Sequence, residues 1–132
     1  MDNNSHVLSL FLYIINQIKI YHWQTGIYAK HNATDELYEK LNDLIDLFIE
    51  VLTGRTILET KDPLYRIKTN NKKIKIIDMN DQNGLELLSI IKNALETNIY
   101  LLKVLDKNTD LQNIRDEMLT LINKTAYLFT LK

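Results

Sequence analysis

The chemistry open to this chain rests on imidazole and carboxylate groups. It has three histidines, His6, His22 and His31, and no cysteine, which excludes disulfides and thiolate metal sites. No histidine stands in a Glu-x-x-His pair. An ordinary di-iron site inside one bundle needs that pair on two of its helices, so it is excluded as well. A second pattern survives. On a helix turning about 100° per residue, Asp35 and Asp46 lie within about 20° of one another. Asn42 falls between them, Glu50 follows Asp46 by one turn, and His31 precedes Asp35 by one turn if the helix reaches that far. The column His31, Asp35, Asn42, Asp46 and Glu50 points away from the apolar face of its own helix. That is the usual appearance of a solvated polar stripe. His22 differs. It lies on an apolar stripe one turn after Ile18, where a histidine ordinarily serves as a core or capping residue with its hydrogen bond satisfied.

Four helices and one long crossover must position these residues. The first helix is predicted from Ser5 to Gln24, with Leu8, Phe11, Ile15, Ile18 and His22 on one face and Gly26 as its stop. The second is predicted from Ala33 to Thr53. Asn32 or Thr34 can cap its start and Gly54 suits its end, while Leu37, Leu41, Leu44, Ile45, Phe48, Val51 and Leu52 form its apolar face. From Arg55 to Asn83 the pattern changes and Pro63 interrupts it. Asn70-Asn71 suits a tight turn, so a small β-hairpin around it is one reading and an extended loop is the other. A third helix is predicted from Leu85 to Leu105 and a fourth from Asp110 to Leu131. Two antiparallel hairpins joined by a long crossover make an all-α, ferritin-like four-helix bundle.

Composition agrees with one domain over residues 1–132. The chain is 45% hydrophobic and 25% charged, a globular balance, and three Gly and one Pro are few for an all-β fold. A net charge of -1 gives no bulk attraction for nucleic acid. The apolar stretch from Val7 to Ile20 is broken by Ser9, Asn16, Gln17 and Lys19, so neither a signal peptide nor a membrane span is expected, and the expected location is cytoplasmic.

Tyr21-His22-Trp23-Gln24 resembles the Tyr-His-Trp-Asn run that ends the first helix of Dps-type mini-ferritins. In that family a second His precedes an Asp by four positions, another Asp comes eleven later, and a Glu four after that. His31, Asp35, Asp46 and Glu50 reproduce the series, with Leu37-Tyr38 between them. Asp116-Glu117-Met118-Leu119 through Lys124 to Leu128 is similar, more loosely, to the family's last helix. The resemblance implies a metal site between two subunits related by a two-fold axis, with histidines from one and the last Asp and Glu from the other. A ligand column pointing away from its own core is what such a site requires. Carboxylate and imidazole together suit iron, with Zn(II) or Mn(II) as substitutes. The implied ligands are His22, His31, Asp35, Asp46 and Glu50. The implied partner is a second copy, in a homodimer or larger homo-oligomer. If the chain is an enzyme, the implied activity is ferroxidase-type oxidation of Fe(II) by peroxide or oxygen.

This sequence departs from the family's pattern in several places. His22 and His31 are nine apart, about three fewer than in the family, and Val51 follows Glu50 where a basic residue is common. On this ground His22, Asp46 and Glu50 are expected to matter more to metal binding than His31 and Asp35. Met1 to His6 contains no Lys or Arg, unlike the Lys-rich tail some members use on DNA. Short phage and large-virus proteins of unknown function are similar to this shortened form. A non-catalytic structural or scaffold bundle, as in a virion, is therefore the competing reading, with host cytoplasm or virion as its location. DNA binding through Arg66, Lys68, Lys72, Lys73 and Lys75 ranks last, because lysines on one loop usually form a solvated face and no aromatic residue interleaves them.

Overall fold

The computed structural model describes residues 2–132 and is all-α. Helix α1 spans Asn3–Gln24, α2 Tyr28–Thr60, α3 Gly84–Thr97, α4 Ile99–Leu105 and α5 Thr109–Leu128, with a 3₁₀ turn at Asp81–Asn83. Asp2 caps α1 by accepting from the Asn4 amide at 2.7 Å. The helices pack in a closed cycle, α1 on α2, α2 on α5, α5 on α3, and α4 back on α1. Apolar faces from all of them meet in one core. Phe11 of α1 and Phe48 of α2 cross edge to face at 4.9 Å, and Ile91, Leu101, Leu111 and Met118 are fully enclosed around them. No helix among the described residues is long and apolar enough to cross a membrane.

Polar side chains fix the chain direction. The crossover, residues 61–80, starts where Tyr65 accepts from Asn4 at the beginning of α1, at 3.0 Å. It then meets Ser9 through Asn70, Gln17 through Ile77 and Gln24 through Met79. It therefore runs alongside α1 in the same direction and returns the chain to the far end. Hence α3 and α4 descend antiparallel to α1, His6 stacking on Tyr100 at 3.8 Å. Helix α5 begins beside the end of α2, where Arg55 meets Asp110 at 3.2 Å. It finishes beside the start of α2, where Lys124 lies 3.6 Å from Glu36. Neighbouring helices are thus all antiparallel, and the crossover joins two helices that run the same way.

Four sequence expectations change. Helix α2 begins at Tyr28, not Ala33, with no side-chain cap. Thr34 is buried inside the helix, its hydroxyl donating to the Lys30 carbonyl at 2.8 Å. Gly54 does not stop α2. Thr53, Thr56 and Thr60 return their hydroxyls to carbonyls one turn back, Arg55 ties the extension to Asp110, and the left-handed residue that ends the helix is Lys61, at φ 58°. The third predicted helix is broken at Asn98, whose side-chain oxygen accepts from the Tyr100 and Leu101 amides and starts α4 anew. Finally, no β-hairpin forms, since the described residues contain no strand. The turn chemistry is present, with Asn71 at φ 60° and Asn70 accepting from the Lys72 amide. Its arms do not pair with one another, and at the end of the second arm α1 takes both backbone hydrogen bonds of Ile77. The buried Gln17 amide accepts from Ile77 N–H at 3.1 Å and donates to Ile77 C=O at 2.8 Å, as a neighbouring strand would.

Candidate metal centre

Only residues 25–27 separate α1 from α2. So short a turn folds the end of one helix directly onto the start of the next. Asp81 of the 3₁₀ turn holds it, accepting from the Thr25 hydroxyl and from the Gly26 amide at 2.9 Å. Lys30 reaches the Asp81 carbonyl at 3.3 Å. The early start of α2 places His31 in its first turns, and the turn brings it against His22. Their rings stack, with centroids 3.9 Å apart and planes 19° from parallel.

The two imidazoles are held by the same device in both directions. His22 Nδ1 lies 2.9 Å from the His31 carbonyl, and His31 Nδ1 lies 2.9 Å from the His22 carbonyl. A carbonyl only accepts, so each Nδ1 carries the proton and each neutral ring keeps its lone pair on Nε2. The buried Thr34 hydroxyl, 3.0 Å from His22 Nδ1, adds a second acceptor, because its own proton goes to the Lys30 carbonyl. Burial lowers the His22 pKa below its ordinary value, and the neighbouring His31 lowers it further, outweighing the bond to the His31 carbonyl and the charge of Asp35. His22 is therefore neutral near pH 7, the form that ligates a metal.

Asp35 is exposed, and its Oδ1 lies 3.9 Å from His22 Nε2, too far for a hydrogen bond. Asp46 and Glu50 are exposed on the same side of α2. With a rise of about 1.5 Å per residue they stand about 16 and about 22 Å beyond Asp35. The structure therefore gathers His22, His31 and Asp35 and leaves Asp46 and Glu50 apart. No group of three or more His, Asp or Glu residues among the described ones could hold a metal ion within a single chain.

Three contributors escape sequence reasoning. By type Thr34, like Asn32, suits a helix cap, and its place beside His22 follows only from the turn. Asp81 comes from the far end of the crossover. Lys19 lies over the rings of both Trp23 and Tyr38, at 5.4 and 4.2 Å, joining the outer faces of α1 and α2. Beside that joint, Trp23 is 65% and Tyr28 75% exposed, large aromatic surface next to the histidine pair.

A family model described as a family of unknown function, DUF5856, matches residues 22–129. The chain belongs to this family. The matched span starts at His22 and takes in His31, Asp35, Asp46 and Glu50. No curated protein and no solved structure matches the chain.

Proposed function

We propose that this chain is a ferritin-like, metal-binding bundle whose sites, for iron first and Zn(II) or Mn(II) in its place, are completed by a second copy across a two-fold axis. The observation that carries the reading is the reciprocal His22–His31 lock, which stacks a buried and a half-buried imidazole and leaves the Nε2 lone pair of each without a hydrogen-bond partner among the described residues. Metal-ligating histidines characteristically hand their other ring proton to a carbonyl or carboxylate in this way. The donor set fits the metal, since borderline imidazole nitrogens and hard carboxylate oxygens together suit divalent iron.

Topology supports the ferritin-like assignment. Two antiparallel helix pairs joined by one long crossover between helices of the same direction is that arrangement. Distance supports the shared site. Asp46 and Glu50 cannot reach the histidines of their own chain, whereas an antiparallel α2 from a second copy would bring its carboxylates to them, twice per dimer. The exposed apolar side chains Leu12, Trp23, Tyr28 and Leu47 on α1 and α2 give such a dimer something to bury. Fe(II) would enter as substrate. Two ions would each give up one electron, reducing one peroxide with two protons to two waters.

The test is complementation. A His22→Ala chain mixed with an Asp46→Ala, Glu50→Ala chain yields a heterodimer with one intact site, because the second chain supplies histidines and the first supplies carboxylates. Metal binding restored in the heterodimer, and absent from both parents, is the expected result. A verified heterodimer that binds nothing, or a monomer that binds as tightly as the dimer, overturns the shared site. A stable dimer that binds no metal leaves the scaffold reading in its place.

A further inference from the structure

At the opposite end of α1 from His22 lies a groove of about 360 Å³ between the crossover, the first turns of α1 and the start of α4. We propose that it binds a nucleoside phosphate. Its cations are Lys72, Lys73 and Lys75, all exposed, and among the described residues no carboxylate lies within salt-bridge distance of them. They stand together because the crossover is anchored behind them. Ser9 donates to Asn70 at 3.1 Å, and Gln17 grips Ile77. Ile74 and Ile76, on either side of Lys75, are half-buried.

The wall facing the lysines is aromatic. Tyr13 lines it, and His6 and Tyr100 form a slab of two rings, 3.8 Å apart and 9° from parallel. The lysine run itself contains no aromatic residue, which is why DNA binding ranks last on the sequence alone. The fold supplies the rings from α1 and α4 instead. Asn70 and Asn98 sit at the edge of the groove. Their side-chain oxygens are already engaged by backbone amides, Asn70 by Lys72 and Asn98 by Tyr100 and Leu101. Their NH₂ groups donate to no partner among the described residues. A planar base with acceptors on its edge and a phosphate at one end matches the three features together: flat apolar faces, amide donors and unpaired ammonium groups. A plain polyanion would make no use of the rings, and an apolar ligand no use of the lysines. The proposal is independent of the metal reading, since His6 and His22 stand about 24 Å apart along α1 at about 1.5 Å per residue.

The source of the ligand, a free nucleotide or one unit of a nucleic-acid strand, is separated by the test. Calorimetry on the full chain at about 50 mM salt uses ATP, tripolyphosphate, adenosine and a single-stranded oligoadenylate. ATP should bind once per chain, about tenfold or more tighter than either tripolyphosphate or adenosine. The variant Lys72→Gln, Lys73→Gln, Lys75→Gln should weaken ATP by about tenfold or more. These lysines are exposed, so an unchanged thermal melt will show that the variant is folded. An oligoadenylate that displaces ATP and binds more tightly identifies a strand as the source, and one that fails to displace it identifies the free nucleotide. Tripolyphosphate as tight as ATP, an unaffected triple variant, or no saturable binding of any nucleotide overturns the proposal.

Discussion

His22 and His31 exchange hydrogen bonds with one another's main-chain carbonyls, 2.9 Å in each direction, across a turn of three residues. Each residue therefore orients the other. The shortened turn is what sets His31 on His22. On the proposed function, His22→Ala and His31→Ala should each weaken Zn(II) binding by about tenfold or more, since each would remove a proposed ligand and one of the bonds that aims the other. Thr34→Val, which removes only the second acceptor for His22 Nδ1, should fall between them and the wild type. Zinc calorimetry checks the order. A His31→Ala chain with full affinity would refute the paired site.

The lowered pKa of His22 makes stability depend on pH in one direction. Its ordinary value is 6.5, and burial, helped by His31, sets the folded value below that. Between the two values the unfolded chain binds more protons than the folded one, so acid favours unfolding. The contribution is complete above pH 6.5 and is lost as pH falls through the folded value. Metal-free protein should melt at progressively lower temperature on going down through that window, and His22→Gln should flatten this part of the curve. An identical slope in both proteins would show that His22 does not titrate as described.

Much of this was legible in the sequence, for identifiable reasons. Apolar spacing placed the helices because each buries one face, and the acidic column could be read because Asp35, Asp46 and Glu50 share one helix, where geometry follows from counting. What could not be read depends on partners distant in sequence. Gly54 is a stop signal by type, but Arg55 and Asp110 hold the helix open beyond it. Asn70-Asn71 makes its turn, yet the arms stay unpaired, and Gln17, 60 positions from Ile77, takes the backbone bonds of that residue. The His22–His31 contact rests on a turn that Asp81 fastens from 55 positions away.

That fastening is itself testable. The Asp81 carboxylate is held below its ordinary pKa first by the Thr25 hydroxyl and then by the Gly26 amide. Its stabilising contribution is present above the ordinary value of 3.8 and is lost as pH falls through the folded one. Asp81→Ala should release the Gly26 amide, raising its hydrogen-exchange rate, and should weaken zinc binding although Asp81 touches no ligand nitrogen. Its stability difference from wild type should vanish in strong acid. Unchanged exchange at Gly26 would mean that the turn holds without the crossover.

Of the three glycines, Gly84 at the start of α3 has the least room for a side chain, because it lies against Tyr21 of α1. A Cβ added at Gly84 would come within 2.7 Å of the Tyr21 hydroxyl and 2.9 Å of Phe129 Cε2. Both rings are buried and stack at 5.7 Å, so neither can swing aside as a flexible surface chain would. Alanine ordinarily favours a helix over glycine by up to about 1 kcal/mol. Here overpacking should prevail, and Gly84→Ala should cost about 1–3 kcal/mol. The Tyr21 hydroxyl is enclosed and meets no partner in hydrogen-bonding geometry. Thr25 nonetheless partly offsets the rise in its pKa that burial causes. Removing an unpaired buried hydroxyl leaves nothing unsatisfied behind, so Tyr21→Phe should be neutral or stabilising by about 1 kcal/mol. It also clears the nearer of the two clashes. Gly84→Ala should therefore cost less in the Tyr21→Phe background, by about 0.5 kcal/mol or more, with Phe129 accounting for what remains. Denaturant unfolding of the four proteins in this cycle measures the coupling. Strict additivity would locate the conflict at Phe129 alone and remove the hydroxyl from the account of why glycine stands at position 84.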